Sequence, residues 1–233
     1  MPPPFPRGFG TCALMRHLVA AADPTSVLDE VMSILVSVQW DCWRFMLPAK
    51  PLLNLDVAVV SHSHLDHWHE NFWRKDVVLI PWKLRVPDAF ASLRKVLQVD
   101  GKISIKGLKF WCLGPWDLSR LLQREVKKTH AFWWLVSGNE ANVLFIGDLD
   151  VGDVKVALDV TQTLLKRGVV LHGVLLPSFS GVTTHSAKNP RELSSLVYRL
   201  AESLRCQGTL VAALPHPAPA AWAEYNAVRE SFC

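Results

Sequence analysis

The sequence predicts a mixed α/β fold, strand layers covered by helices, on three observations. Two β-hairpins stand mid-chain: residues 102–105 with 108–113 around Lys106-Gly107, and residues 132–136 with 142–146 around Ser137-Gly138-Asn139-Glu140. The runs 57–60 and 77–80 are short, apolar and β-branched, the composition of buried strands. In the second half, helix-length and strand-length runs follow each other, 154–167, 169–176, 190–205 and 209–214.

At 233 residues, half hydrophobic and one fifth charged, the chain has enough apolar surface for one buried core, so a single domain over 1–233 is expected. Residues 1–30 are the least readable part: Pro2-Pro3-Pro4, an Ala-rich stretch to Ala22, then an Asp23-Pro24 break that suits the start of a short helix. The β-branched run 32–38 reads as a strand; residues 39–44 turn polar and aromatic, and Pro48 and Pro51 interrupt before the strand at 57–60. After the strand at 77–80, Pro87-Asp88 opens a run to Val99 in which Phe90, Leu93, Val96 and Leu97 recur at helical spacing, which predicts a helix. Gly114-Pro115 ends the first hairpin and Gly147-Asp148 the second. Gly168 terminates the helix begun near Val154, and Pro190 with Glu192 opens the next. A helix over 220–230 closes the chain, and no internal repeat is present.

The formal charge of +4 is mildly basic, with its densest group at Arg120, Arg124, Lys127 and Lys128. That group reads as a solvated face ahead of an anion site, so nucleic acid is a partner the sequence permits and does not favour. The five cysteines, Cys12, Cys42, Cys112, Cys206 and Cys233, are scattered, odd in number and never in a C-x-x-C pair, which suits reduced core thiols in place of a disulfide frame or a zinc knuckle. No run approaches the ~18 apolar residues that a membrane span requires, and the start is a poor secretory signal. A cytoplasmic protein is expected, and the ten Trp leave room for a homo-oligomer interface.

Chemistry is concentrated in Ser61-His62-Ser63-His64-Leu65-Asp66-His67-Trp68-His69, directly after the strand at 57–60. Imidazole nitrogen and carboxylate oxygen are ligands for zinc, manganese and iron. His62 and His64, two apart on extended chain, share one side and can grip one ion. A turn after them swings Asp66 and His67 towards a second position. Four residues cannot close two shells, and further candidates stand at strand ends: His130, Asp148 and His216. Gly147 lets the chain turn sharply before Asp148.

This pattern resembles the metallo-β-lactamase superfamily. Its H-x-H-x-D-H signature is matched by His62, His64, Asp66 and His67, and its later lone His, Gly-Asp and final His by His130, Gly147-Asp148 and His216, in the same order. The resemblance spans roughly 55–220. It implies an αββα four-layer sandwich with two divalent ions at one edge of the sheets, zinc first, with manganese or iron as alternatives. His62, His64 and His130 would bind one ion, Asp66, His67 and His216 the other, and Asp148 would bridge them. A hydroxide held between the ions would attack an ester, lactone or phosphodiester in a small-molecule or phosphodiester substrate. Asp66 thereby counts among the catalytic residues. The tail around His185 and Asn189-Pro190 resembles the lactonase and phospholipase D-type branch, where a histidine in that place contacts substrate, so His185 is the second catalytic candidate; it also competes for the last ligand position with His216, which is favoured because it ends a buried strand.

Asp41 stands where the family has an earlier Asp that orders the metal loop. The C-terminal helical domain of glyoxalase II-type members and the RNA-gripping insert of the larger nucleases are missing, and position 64 is His where diiron oxygen reductases have an acid. A small nuclease is therefore the second reading and a non-catalytic metal-binding interaction module the third. Of the remaining candidates, His69 reads as a helix-face or outer-layer residue, His172 as a core histidine, and Asp150 and Asp153 as helix caps. Trp68, inside the loop, is a candidate cleft wall.

Overall fold

The computed structural model describes residues 24–41, 43–44, 50–64, 67–177 and 190–214. The expected helix at 220–230 and the expected site residues Asp66, His185 and His216 lie outside the described residues.

Helix α1 (Pro24–Ser37) begins at a proline, as helices tolerate at their first turn. It absorbs most of the run expected as a strand at 32–38. Val31, Ile34 and Leu35 are all buried and lie on one helical face, and the hydroxyls of Ser33 and Ser37 each donate to the carbonyl four residues back. Only at Val38 does the chain extend, into β1 (Val38–Trp40), which pairs antiparallel with β2 (Trp43–Arg44) and parallel with β3 (Val57–Val59). Strands β4 (Val77–Pro81) and β5 (Val96–Val99) continue the sheet in parallel, giving the order β2-β1-β3-β4-β5.

The helix expected over 87–99 is not formed. Asp88–Phe90 makes one 3-10 turn, and Val96–Val99 pairs with β4 in the register Val78↔Val96. The open sheet edge beside β4 outweighs the helical spacing: paired there, Val96 packs inward although Leu97 is left exposed.

The second sheet has the order β11-β10-β9-β8-β7-β6. Its antiparallel half is the two expected hairpins, β6 (Lys102–Ile105) with β7 (Leu108–Leu113) and β8 (Trp133–Ser137) with β9 (Asn142–Ile146). Between them lies a helix that the sequence reading did not include, α2 (Pro115–Leu122), started by Pro115 and by Asp117, whose carboxylate accepts the Gly114 N–H. The parallel half follows through α3 (Val151–Lys166), β10 (Gly173–Pro177), α4 (Pro190–Cys206) and β11 (Leu210–Leu214). Gly168, at φ +76°, ends α3 as expected, and β10 starts at Gly173, later than the expected Val169.

Alternation along the strands sorts the core into layers. Val57 and Val59 point into the space between the sheets, against Trp40, Phe110, Trp134 and Phe145, with Trp40 and Phe145 edge to face at 5.7 Å. Their neighbours Ala58 and Val60 face outward, under Trp68, Phe72 and the loop residues Phe90 and Leu93. On the far side, Trp133, Leu135, Leu144 and Ile146 are covered by Ala157 and Val160 of α3 and Leu193, Val197 and Leu200 of α4. The result is the expected sandwich of two sheets between outer layers, the layer on the five-stranded sheet being, among the described residues, 3-10 turns and loops. No helix among the described residues is long and apolar enough to cross a membrane.

Candidate metal centre

The layers bring three strand ends to one edge. Strand β1 ends at Asp41, in the left-handed region at φ 50°, where Asp is among the better tolerated residues. Its Oδ1 accepts the Ser61 N–H at 2.6 Å, and its Oδ2 accepts the Ser61 hydroxyl at 2.7 Å and faces His67 Nδ1 at 2.8 Å. Asp41 thus orders the loop after β3, the role the resemblance implied. Ser61 Oγ also lies 2.9 Å from His62 Nδ1. Because the hydroxyl hydrogen goes to the carboxylate, His62 Nδ1 donates to Ser61, and the lone pair at Nε2 faces the site.

The strand pair β8-β9 supplies the rest. His130 stands three residues before β8 and Asp148 two residues after β9, both beyond the last ladder pair, Trp133↔Ile146. Gly147 makes the approach feasible: a Cβ there would lie 2.7 Å from Ala131 Cβ, Ser61 Cβ and Ser61 Oγ.

His62, His64, His130 and Asp148 offer ligand atoms all within 4.8 Å of one another, a group able to hold one metal ion. His62 Nε2 is 3.1 Å from His64 Nδ1, and the rings of His62 and His130 have centroids 5.9 Å apart. Asp148 turns its two oxygens to different partners: Oδ2 to His62 Nε2 at 3.6 Å and His130 Nε2 at 4.0 Å, Oδ1 to His67 Nε2 at 3.5 Å. Asp41, His62 and His67 form a second close group, but Asp41 is engaged with Ser61 and with the far nitrogen of His67, an outer partner's position. Of the ligands expected on a second ion, His67 and the shared Asp148 are described.

Electrostatics favour a cation here. Burial, reinforced by the neighbouring His67, pushes His62 down to about 3, so its imidazole is neutral and able to ligate. Burial also works against charge on His67, but Asp41 and Asp148 together carry it up to about 10. Burial would raise Asp148, yet the hydrogen bond and charge of His67 bring it down to about 2. Asp148 Oδ2 is fully buried with no hydrogen-bond partner among the described residues. A buried, ionised acceptor without a donor, ringed by imidazoles, suits a metal ion.

Other candidates fall into place around this centre. His69 caps the 3-10 segment Glu70–Arg74, accepting the Asn71 N–H, and lies outside both ligand groups found among the described residues. Trp68 is buried and donates its indole N–H to the His62 carbonyl at 3.2 Å, supporting the loop from beneath, not walling a cleft. His172 is partly buried just before β10, its Nδ1 accepting the Asn142 N–H. Asp150 and Asp153 form the expected reciprocal cap of α3. Arg120, Arg124, Lys127 and Lys128 are exposed, and Arg124 pairs with Asp159, as a solvated face would. Among the described cysteines, Cys112 is buried and Cys206 exposed, both free.

Two functional contributions escaped the sequence reading. Ser61 couples Asp41 to His62, and its only signal was its place before the first histidine. Asp153 accepts the backbone N–H of His130 as well as that of Asp150, a contact across 23 positions with no local signature.

No family model and no curated protein matches the chain. Among solved structures, it is similar to a possible metal-dependent hydrolase from Veillonella parvula, at 14% identity over 74% of this chain and 69% of that one, with a TM-score of 0.43. It is also similar to a putative zinc-dependent hydrolase of the metallo-β-lactamase superfamily from Thermotoga maritima, at 16% identity over 55% of each chain and a TM-score of 0.28. A third is zinc-bound PqqB from Methylobacterium extorquens, at 11% identity over 67% of this chain and 70% of that one, with a TM-score of 0.34.

Proposed function

We propose that this chain is a metal-dependent hydrolase of the metallo-β-lactamase type, cleaving an ester, lactone or phosphodiester at a two-ion centre. The observation that carries the reading is the disposition of Asp148. One oxygen faces His62 and His130 and the other faces His67, the arrangement a carboxylate needs to serve two cations at once. In this reading His62, His64 and His130 hold one ion, Asp66, His67 and His216 the other, and Asp148 is shared.

Zinc, or manganese or iron in its place, supplies water acidified to a pKa of about 7 and polarises a substrate oxygen. The chain's own residues do the rest. Ser61 and Asp41 fix the ring orientations of His62 and His67, so neither imidazole need reorganise during turnover. Asp148 stays ionised in a buried position and compensates the charge of the cations. Asp66 is assigned to the nucleophile side and His185 to substrate contact.

The test is metal analysis of purified protein together with hydrolysis of bis-nitrophenyl phosphate and a small lactone panel. The wild type should carry up to two equivalents of metal and turn over at least one substrate class. Asp148→Ala should lose both metal and turnover, and full metal content in that variant would overturn the ligand assignment.

A further inference from the structure

We propose that Asp153 is a positioning residue for the metal centre: its buried carboxylate locks the backbone at His130 to the loop that follows Asp148. The proposal rests on the metal-centre reading above.

The β8-β9 ladder pairs residues only as far as Trp133↔Ile146. His130 and Asp148 both lie beyond that last pair, so strand pairing does not fix one against the other. Asp153 supplies the missing link. Its Oδ2 accepts the His130 N–H at 3.1 Å and the Asp150 N–H at 3.0 Å, and the residue is 3% exposed. One oxygen therefore fastens the chain before β8 to the chain after β9, next to the point where His130 Nε2 approaches Asp148 Oδ2 at 4.0 Å. Capping of α3 does not need this contact. The cap is complete with Asp150 Oδ1 accepting the Asp153 N–H and Asp153 accepting the Asp150 N–H. The bond to His130 is additional, and it acts on a residue that offers a ligand atom to the cation group.

Outer partners that orient metal ligands typically contribute ~10–100-fold to metal affinity, and Asp153→Ala should weaken zinc binding by about that factor. The measurement is zinc competition against a chromophoric chelator, with Asp150→Ala as the comparison. That variant removes the other half of the cap and leaves the acceptor of the His130 N–H in place. Asp150→Ala should bind zinc like the wild type. Asp153→Asn, whose amide oxygen can accept the same two N–H groups, should recover most of the affinity. Asp153→Glu, which keeps the charge and displaces the oxygen, should show a loss even if the alanine variant does not fold. Amide hydrogen exchange should agree: His130 N–H protected in the wild type, Asp150→Ala and Asp153→Asn, and fast in Asp153→Ala or Asp153→Glu. Wild-type zinc affinity in both Asp153→Ala and Asp153→Glu, or an equal loss in Asp150→Ala, would overturn the proposal. A wild type that takes no zinc would overturn it together with the metal reading, whereas zinc bound without turnover would strike the hydrolase reading alone.

Discussion

Nδ1 of His67 lies 2.8 Å from Oδ2 of Asp41, and the two side chains, separated by 26 positions, are both buried. The same carboxylate holds the Ser61 backbone and hydroxyl. Asp41→Ala therefore strips three donors of their acceptor and removes the charge that opposes a protonated His67. Losing one side of such a buried arrangement should cost roughly 3 kcal/mol, tempered by His67 giving up its proton. Zinc affinity should fall by ~10–100-fold as His67 and His62 lose their orientation. Urea unfolding and zinc competition read the two effects, and an unchanged midpoint would show that Asp41 does not hold the loop.

Gly147, the residue after β9, packs directly against Ser61 of the histidine loop. The neighbours that a Cβ would meet at 2.7 Å are themselves Cβ atoms and a hydroxyl held by Asp41, none of them the end of a long side chain. Gly147→Ala must separate the end of β9 from Ser61 and Ala131, an overpacking that costs about 1–3 kcal/mol. Thermal unfolding should report that loss, and zinc affinity should decline with it because Asp148 moves away from His62. Native stability in this variant would mean that the approach has slack.

Much of this site was legible because its chemistry is local. His62, His64 and His67 sit within six residues, and Gly147-Asp148 ends a hairpin that its turn residues predict. What stayed illegible depends on tertiary neighbours. The apolar residues of 32–38 suit a strand by composition and become helix because Val31, Ile34 and Leu35 share one buried face. The 87–99 run has helical spacing, yet β4 offers Val96–Val99 an edge to pair with. Asp153 carries an ordinary capping signature, and nothing in the sequence shows that the same oxygen reaches His130.

Acid should weaken the fold through His172. Its Nδ1 accepts the Asn142 N–H at 3.1 Å, which requires a neutral ring, and burial lowers its pKa while Glu30 pulls the other way. A histidine with a depressed folded pKa favours the folded state fully above its unfolded value of about 6.5. That contribution is lost as pH falls below this value, because the unfolded chain binds the proton more readily. His67, raised in the fold, has the opposite trend: its contribution is present below about 6.5 and fades as pH rises through about 10. Subtracting the pH profile of His172→Asn, whose amide oxygen accepts the same N–H without titrating, removes that background. The urea midpoint of the wild type should drop relative to the variant between pH 8 and pH 5. Parallel profiles would exclude His172 as a source of acid sensitivity.

The adjacent tryptophans of β8 offer an internal control for the bond that joins the two sheets. Trp134 is fully buried between them, and its indole N–H donates at 3.0 Å to the carbonyl of Val60, one residue before the histidine loop. Trp133, equally buried, points to the helical layer, and its indole nitrogen has no hydrogen-bond partner among the described residues. Replacing either by Phe removes similar volume. Only Trp134→Phe also leaves a buried carbonyl without its donor, which costs about 1–3 kcal/mol beyond the cavity. Trp134→Phe should therefore be the more destabilised of the two by that margin in denaturant unfolding. It should also increase amide exchange in the loop from Ser61 to His64, which Trp133→Phe leaves unchanged. Equal losses from the two substitutions would assign the stability of this region to packing and remove the Val60 bond from the account of how the metal loop is anchored.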